Sequence, residues 1–269
     1  RILQTGTQRM EIFFGIAIFL LGLIIGSFLN VCICRLPKRI SIVASRSACP
    51  ACGTTLKPRD LVPVLSYLFL GGRCRYCKAK ISVQYPLVEA LTGALYVLLY
   101  VRFGLVWPLS VYLALVSLLI AISAIDISHM EIPDGLVIAG LVVGGAQLAA
   151  SIFTPHFGAW HSYVIGFFAG GLPLLLIALF CTYALKKDAI GGGDIKLMAF
   201  CGLVIGRKLV ITAYLIGIVA GAIFGLLLMA LSKRKGSDAI PFGPFLSLGV
   251  VLSLFFGDVL IDWYLGLLV

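Results

Sequence analysis

The sequence predicts an all-α polytopic membrane protein with about eight transmembrane helices and a Cys-rich loop between the first two. Three observations carry this reading. Of the 269 residues, 61% are hydrophobic and 12% charged, whereas a soluble domain carries about a quarter charged residues. Apolar runs that reach the roughly 20 residues a spanning helix needs recur along most of the chain. Lys and Arg gather between those runs in the alternating pattern that their preference for cytoplasmic loops produces.

In chain order, the polar stretch Arg1 to Arg9 precedes Met10 and is expected to lie outside the natural chain, with Met10 as its start. The first span is 11–34, and no small-residue cleavage site follows it, so no cleavable signal peptide is expected. The loop 35–83 sets Arg35, Lys38, Arg39, Arg46, Lys57, Arg59, Arg73, Arg75, Lys78 and Lys80 against a single acid, Asp60, and is therefore expected on the cytoplasmic side. Further spans follow at about 84–102, 106–127, 134–153, 162–185, 194–206, 209–232 and 243–268. Alternation returns Lys186, Lys187, Lys233, Arg234 and Lys235 to the side of the loop and leaves Arg207 and Lys208 as the exception. The segment 194–206 is short enough for a partial or tilted span, so seven is the alternative count. Glycine occurs 30 times, often inside spans, where small residues let helices approach closely. The net charge of +10 is thus a matter of topology, and no nucleic-acid partner is expected.

Within the basic loop, Cys49-Pro50-Ala51-Cys52 and Cys74-Arg75-Tyr76-Cys77 form two C-x-x-C pairs separated by 21 residues. Each pair offers two thiolates from one tight turn, and four sulfurs complete the tetrahedral shell of Zn²⁺. With no open position left, such a zinc is structural. Disulfides or a redox pair are the alternatives, and reduced cytoplasmic thiols argue against the first. Cys32, Cys34, Cys181 and Cys201 lie in apolar segments and are expected to pack.

An Asp at the centre of a spanning helix costs about 2.5–3.5 kcal/mol, so each acid near a span is a functional candidate. Asp126 ends the apolar run 106–125, and Asp194 follows Gly191-Gly192-Gly193 at the start of another, which puts both near the cytoplasmic ends of their helices. Two carboxylates brought together hold one proton between them and can activate water while protonating a departing amine, which is aspartic-protease chemistry. The glycines before Asp194 would let the backbone turn sharply and admit a substrate strand. Taken singly, Asp194 also reads as an N-cap and Asp126 as an interfacial charge. Glu131, Asp134 and Asp188 fall in turns, where solvated or capping roles are expected, and Asp258 and Asp262 have no assigned role. His129, His156 and His161 show no ligand spacing with the cysteines.

These residues resemble the bacterial type IV prepilin peptidases, a family of intramembrane GxGD aspartic proteases that are both leader peptidases and N-methyltransferases. The resemblance rests on GSFLNV (26–31), RLP (35–37), CPAC, CRYC, DLVPVLSYL (60–68), YPLVE (85–89), IDISHMEIPD (125–134) and GGGDIK (191–196). It implies that Asp126 and Asp194 are the catalytic dyad, with Asp134 outside it. It also implies prepilins or pseudopilins as substrates, cut after a Gly that is usually followed by Phe or Met, and S-adenosylmethionine as donor for methylating the new amine. The family assigns methylation to its N-terminal part, here residues 10–105, with 106–269 as the peptidase body. Gly26, Asn30, Arg35 and Glu89 are then candidates for the methyl-donor site. Asn30 and Arg35 also read as interfacial groups and Glu89 as a helix-dipole partner. No strand followed by G-x-G-x-x-G announces a nucleotide fold. The implied location is the bacterial inner membrane, with the zinc loop and dyad on the cytoplasmic side.

Two readings from other classes compete. A proton- or cation-coupled transporter would use intramembrane acids, but such acids sit near the midplane of repeated, broken helices, and no repeat is visible here. A zinc-anchored scaffold predicts that both Asp residues can be replaced without effect on processing.

Overall fold

Long apolar runs punctuated by Gly, Pro and charged residues become helices in the computed structural model, which describes residues 2–44, 46–154, 158–186, 191–231 and 240–267. Among the described residues the helices are α1 (Ile2–Arg35), the short α2 (Leu65–Phe69), α3 (Gln84–Phe103), α4 (Trp107–His129), α5 (Asp134–Phe153), α6 (Trp160–Phe180), α7 (Gly192–Leu231) and α8 (Gly243–Gly266). All but α2 are long and apolar enough to cross a membrane, which gives seven such helices. Their ends have local causes. Gly104 closes α3 in a left-handed conformation at φ +72°, and Pro133 and Pro244 sit at the starts of α5 and α8, where a missing N–H costs nothing.

The chain forms two compact units, Arg1–Ala121 and Ile122–Val269, with the boundary inside α4. In the first, α1 packs along α3 through small residues. A Cβ on Gly22 would lie 2.7 Å from the Cα of Gly93, and one on Gly26 would lie 2.7 Å from the Cα of Glu89. Helices in lipid gain from such close backbone approach because apolar burial alone does not drive them together. A buried hydrogen bond of 2.8 Å between Tyr96 Oη and Ser117 Oγ joins α3 to α4.

In the second unit α7 is the centre, packed by α5, α6 and α8. It is not one rod. Gly206 stands at φ +78° and ψ +174°, a conformation open essentially to glycine alone, and interrupts the helix. Close approach joins Gly170 of α6 to Met198, while the hydroxyl of Tyr214 donates to the carbonyl of Gly170. In a straight helix residues 198 and 214 would be about 24 Å apart, too far to meet the same residue. The chain therefore folds back at Gly206, and 192–205 and 207–231 run side by side. Contacts with α8 agree: Gly221, Gly217 and Gly257 of these helices approach Phe242, Phe245 and Leu209 in antiparallel order. The short segment that begins at Asp194 and the apolar run that follows it are thus the two limbs of one helical hairpin, described through Leu231. Arg207 and Lys208 lie exposed at its tip.

Gln147 of α5, 1% exposed, donates to the Tyr163 hydroxyl of α6 at 2.9 Å. Asp188, Lys187, His156 and residues 233–235, all singled out from the sequence, lie outside the described residues.

Candidate functional site

The four cysteines of the basic loop converge. Each C-x-x-C sits in the same small knuckle: the Cys49 amide bonds Thr54 O and the Cys74 amide bonds Ala79 O, and each turn closes on a residue of positive φ, Gly53 or Lys78. The two tips bring Sγ of Cys49, Cys52, Cys74 and Cys77 to within 4.8 Å of one another. Cys49 and Cys77 Sγ are 3.8 Å apart, and the edge of a tetrahedron with Zn–S bonds of about 2.3 Å is also about 3.8 Å. The residues therefore fit a four-sulfur metal site. The bare thiols differ: hydrogen bonds from Thr54 bring Cys52 down to about 6, whereas Cys77, despite the Ala79 amide, is pushed up to about 11 by desolvation and its neighbours' thiolates. A dication relieves that crowding. All eight cysteines are free in the structure.

Beside these knuckles, a cavity of ≈ 790 Å³ opens between the end of α1, the start of α3 and the loop. Three of the four sequence-derived methyl-donor candidates line it: Asn30, Arg35 and Glu89. Gly26 does not; it seats α1 against Glu89 and Thr92 behind the wall. Asn30, 2% exposed, donates Nδ2 to Tyr85 O at 3.0 Å and Gly26 O at 3.3 Å, which fixes its amide and leaves Oδ1 without a partner. Glu89 accepts the Val64 N–H at 2.7 Å and so ties α2 to α3. Val64 has φ +60°, a costly state for a β-branched residue, held by that bond. Arg35 directs its guanidinium to the carbonyls of Ser41, Ile42 and Arg46, tying the segment after α1 back to the end of that helix. Tyr67 and Tyr85 add aromatic surface.

Both carboxylates lie in the second unit. Asp126 occupies the last turns of α4 at 6% exposure, and Asp194 the first turn of α7, near enough for the charge of Asp126 to act on it. Ahead of Asp194 the chain turns into α7, with the Asp194 N–H donating to Gly191 O at 3.1 Å. A Cβ on Gly193 would lie 2.9 Å from Cβ of Ile132, and its absence lets the 130–133 turn pack on the start of α7. Asp134, expected in a capping or solvated role, opens α5 and receives Lys196 Nζ at 2.7 Å in an exposed ion pair.

One contact of the site was not foreseen. Oδ2 of Asp126 accepts the backbone N–H of Gly243 at 3.0 Å. Its only signal in the sequence is a glycine set between Pro241-Phe242 and Pro244 at the start of an apolar run.

Comparison with known proteins places this architecture. The model of the bacterial peptidase A24 N-terminal domain matches residues 20–103, and that of the type IV leader peptidase family matches residues 113–226. A prepilin leader peptidase/N-methyltransferase of Bacillus subtilis is 36% identical over 92% of this chain and 96% of its own. The chain belongs to the type IV leader peptidase family. A Pseudomonas aeruginosa protein of the same description is 34% identical over 94% of this chain and 93% of its own. An Escherichia coli type 4 prepilin-like proteins leader peptide-processing enzyme is 35% identical over 87% and 91%. No solved structure matches the chain. In this leader peptidase family member, the N-terminal match spans the four cysteines and the cavity candidates, and the second match spans Asp126 and Asp194.

Proposed function

We propose that the protein cleaves the leader from type IV prepilins or pseudopilins with Asp126 and Asp194, and methylates the freed amine with S-adenosylmethionine held in the cavity of Asn30, Arg35 and Glu89. What supports the peptidase half is that two rare acids of apolar helices, Asp126 at the end of α4 and Asp194 at the start of α7, lie in one compact unit, near enough for the charge of one to act on the other. One carboxylate takes a proton from water as the oxygen attacks the scissile carbonyl. The other gives its proton to the leaving amine as the C–N bond breaks, so the pair finishes with one proton, as it began. The same family names, peptidase and N-methyltransferase, stand on relatives that align along nearly their whole length.

For methylation, the cavity volume of ≈ 790 Å³ lies in the range of small-molecule sites. S-adenosylmethionine supplies an electrophilic methyl group on a sulfonium cation. Glu89 offers a buried carboxylate that accepts the Val64 N–H, a place where a cation offsets the cost of burying charge. The free Oδ1 of Asn30 accepts one further donor, and Tyr67 and Tyr85 offer faces on which a purine stacks. Cys49, Cys52, Cys74 and Cys77 would hold one structural Zn²⁺, which shapes the wall of that cavity, and Cys49 and Cys74 line it directly. The excess of Lys and Arg in the loop supports a cytoplasmic placement for it.

The test is to incubate the purified protein, in lipid, with a prepilin and S-adenosylmethionine and to weigh the products. Loss of the leader plus one methyl group is expected, and an unchanged prepilin would overturn the reading.

A further inference from the structure

Gly243 lies at the first position of α8, where helix geometry leaves an N–H without an intrahelical acceptor. The next residue, Pro244, has no N–H, and the amides of Phe245 and Leu246 both turn back to Phe242 O. The Gly243 N–H is therefore the one free donor of that turn, and it points at Oδ2 of Asp126, 117 residues away in sequence, at 3.0 Å. Both partners are buried. The absent side chain matters as much as the donor. A Cβ on Gly243 would stand 2.7 Å from Asp126 Oδ2 and 3.3 Å from its Cγ, inside the contact limit for real Cβ atoms.

The turn that carries this donor is itself fixed. A Cβ on Gly217 of α7 would lie 3.0 Å from Phe245 O and 3.3 Å from Leu246 Cα, the Phe245 ring packs on Phe224 at 5.1 Å between centroids, and Leu246 is fully buried. A donor on a rigid element holds its acceptor within a narrow range of positions, which is what a reacting group needs.

We infer that Gly243 is a positioning residue for peptide cleavage: its backbone N–H orients the Asp126 carboxylate, and its missing side chain leaves the room in which that carboxylate works. The inference rests on Asp126 and Asp194 acting as the dyad. Asp126 accepts this bond through one oxygen, so the second oxygen remains for water or for Asp194. A side chain at 243 forces the carboxylate to rotate or retreat, and reaction geometry suffers more than substrate binding does.

Gly243→Ala in lipid-reconstituted protein is expected to lower kcat for prepilin cleavage at least about 30-fold with KM within about threefold, while the methylation of an already cleaved pilin and the melting temperature stay near wild type. Gly266→Ala, a glycine of the same helix with open space around it, serves as the unaffected control. Replacing the 243 amide by an ester removes the N–H and adds no atom, so it reads the hydrogen bond even if the Ala variant fails to fold; a loss of about tenfold or more in kcat is expected. Wild-type kcat in folded Gly243→Ala, or in the ester protein, overturns the inference. The dyad reading is judged separately by Asp126→Asn: if that variant cleaves at the wild-type rate the dyad fails, whereas an inactive Asp126→Asn beside a fully active Gly243→Ala sinks the positioning role alone.

Discussion

Asp60 and Arg75 meet at 2.6 Å and join the turn before α2 to the second cysteine knuckle, with the Asp60 side chain only 3% exposed. Tyr76 Oη donates to the other carboxylate oxygen at 3.0 Å and the Lys57 amide at 3.2 Å. The Arg75 hydrogen bond foremost, with these two donors, holds the Asp60 carboxyl below the usual carboxylate range.

A carboxylate with a depressed folded value stabilises the loop above its unfolded pKa of about 3.9, and that contribution is lost as pH falls through the lower folded value. Asp60→Asn should therefore melt at a lower temperature than wild type at pH 7, with the gap closing below about pH 4. Thermal melting across pH checks this, and a gap that does not change with pH would refute it.

Cys49→Ser and Cys74→Ser should each lose the metal, about one Zn²⁺ per chain, and leave the loop open to protease, because binding and folding of a small metal module are coupled. Elemental analysis of native protein and limited proteolysis of the variants are the measurements. Native protein without zinc would end the assignment.

Asp126→Asn and Asp194→Asn should each lower cleavage by on the order of 10³-fold or more, and the double variant little further, since groups that act as a unit lose activity non-additively. Asn inserts in a membrane at least as readily as Asp, so failed insertion would not explain the loss. Asp134→Asn, which breaks only an exposed ion pair with Lys196, should stay within about threefold of wild type. Initial rates on a purified prepilin decide all four.

Glu89→Gln retains an oxygen for the Val64 N–H but removes the charge that faces the cavity. It should raise KM for S-adenosylmethionine about tenfold and yield cleaved, unmethylated product. Gly26→Ala, whose Cβ would press on the Glu89 backbone at 2.7 Å, and Arg35→Ala, which frees the carbonyls of Ser41, Ile42 and Arg46, should also depress methylation more than cleavage. Mass spectra with full methylation in all three would reject these assignments.

Gly206→Ala places a Cβ at φ +78°, with Ser162 Oγ 3.0 Å away. The backbone state is closed to other residues, and a destabilisation of about 1–3 kcal/mol is expected from melting. An unchanged melting temperature would mean that the hairpin turn relaxes without cost.

Much of this was legible in the sequence for physical reasons. Span length is set by the bilayer and written in consecutive residues, and a C-x-x-C pair is a local shape, so both could be read from one stretch of chain. Asp126 and Asp194 stood out because acids in apolar runs are expensive. The hairpin in α7 was visible as a break before Arg207-Lys208, since charges end an apolar run. Other features left no local trace. Gly243 reaches Asp126 over 117 residues, and a backbone donor has no side-chain signature. Arg35 and Glu89 were marked as candidates, but their work on loop carbonyls and on Val64 depends on how the chain returns to them. The room that Gly193 leaves for Ile132 likewise has no local signature, since the two meet only once the 130–133 turn packs on α7.

The fold-back at Gly206 also bears on biogenesis. Its first limb, 192–205, is about 21 Å long, less than a hydrocarbon core of about 30 Å. It cannot span alone, and the insertion machinery meets it as the leading arm of a 40-residue apolar stretch. The two arms must pair before release into lipid, with the charged tip drawn toward the far headgroups. The limb that carries Asp194 thus depends on its partner to cross the membrane.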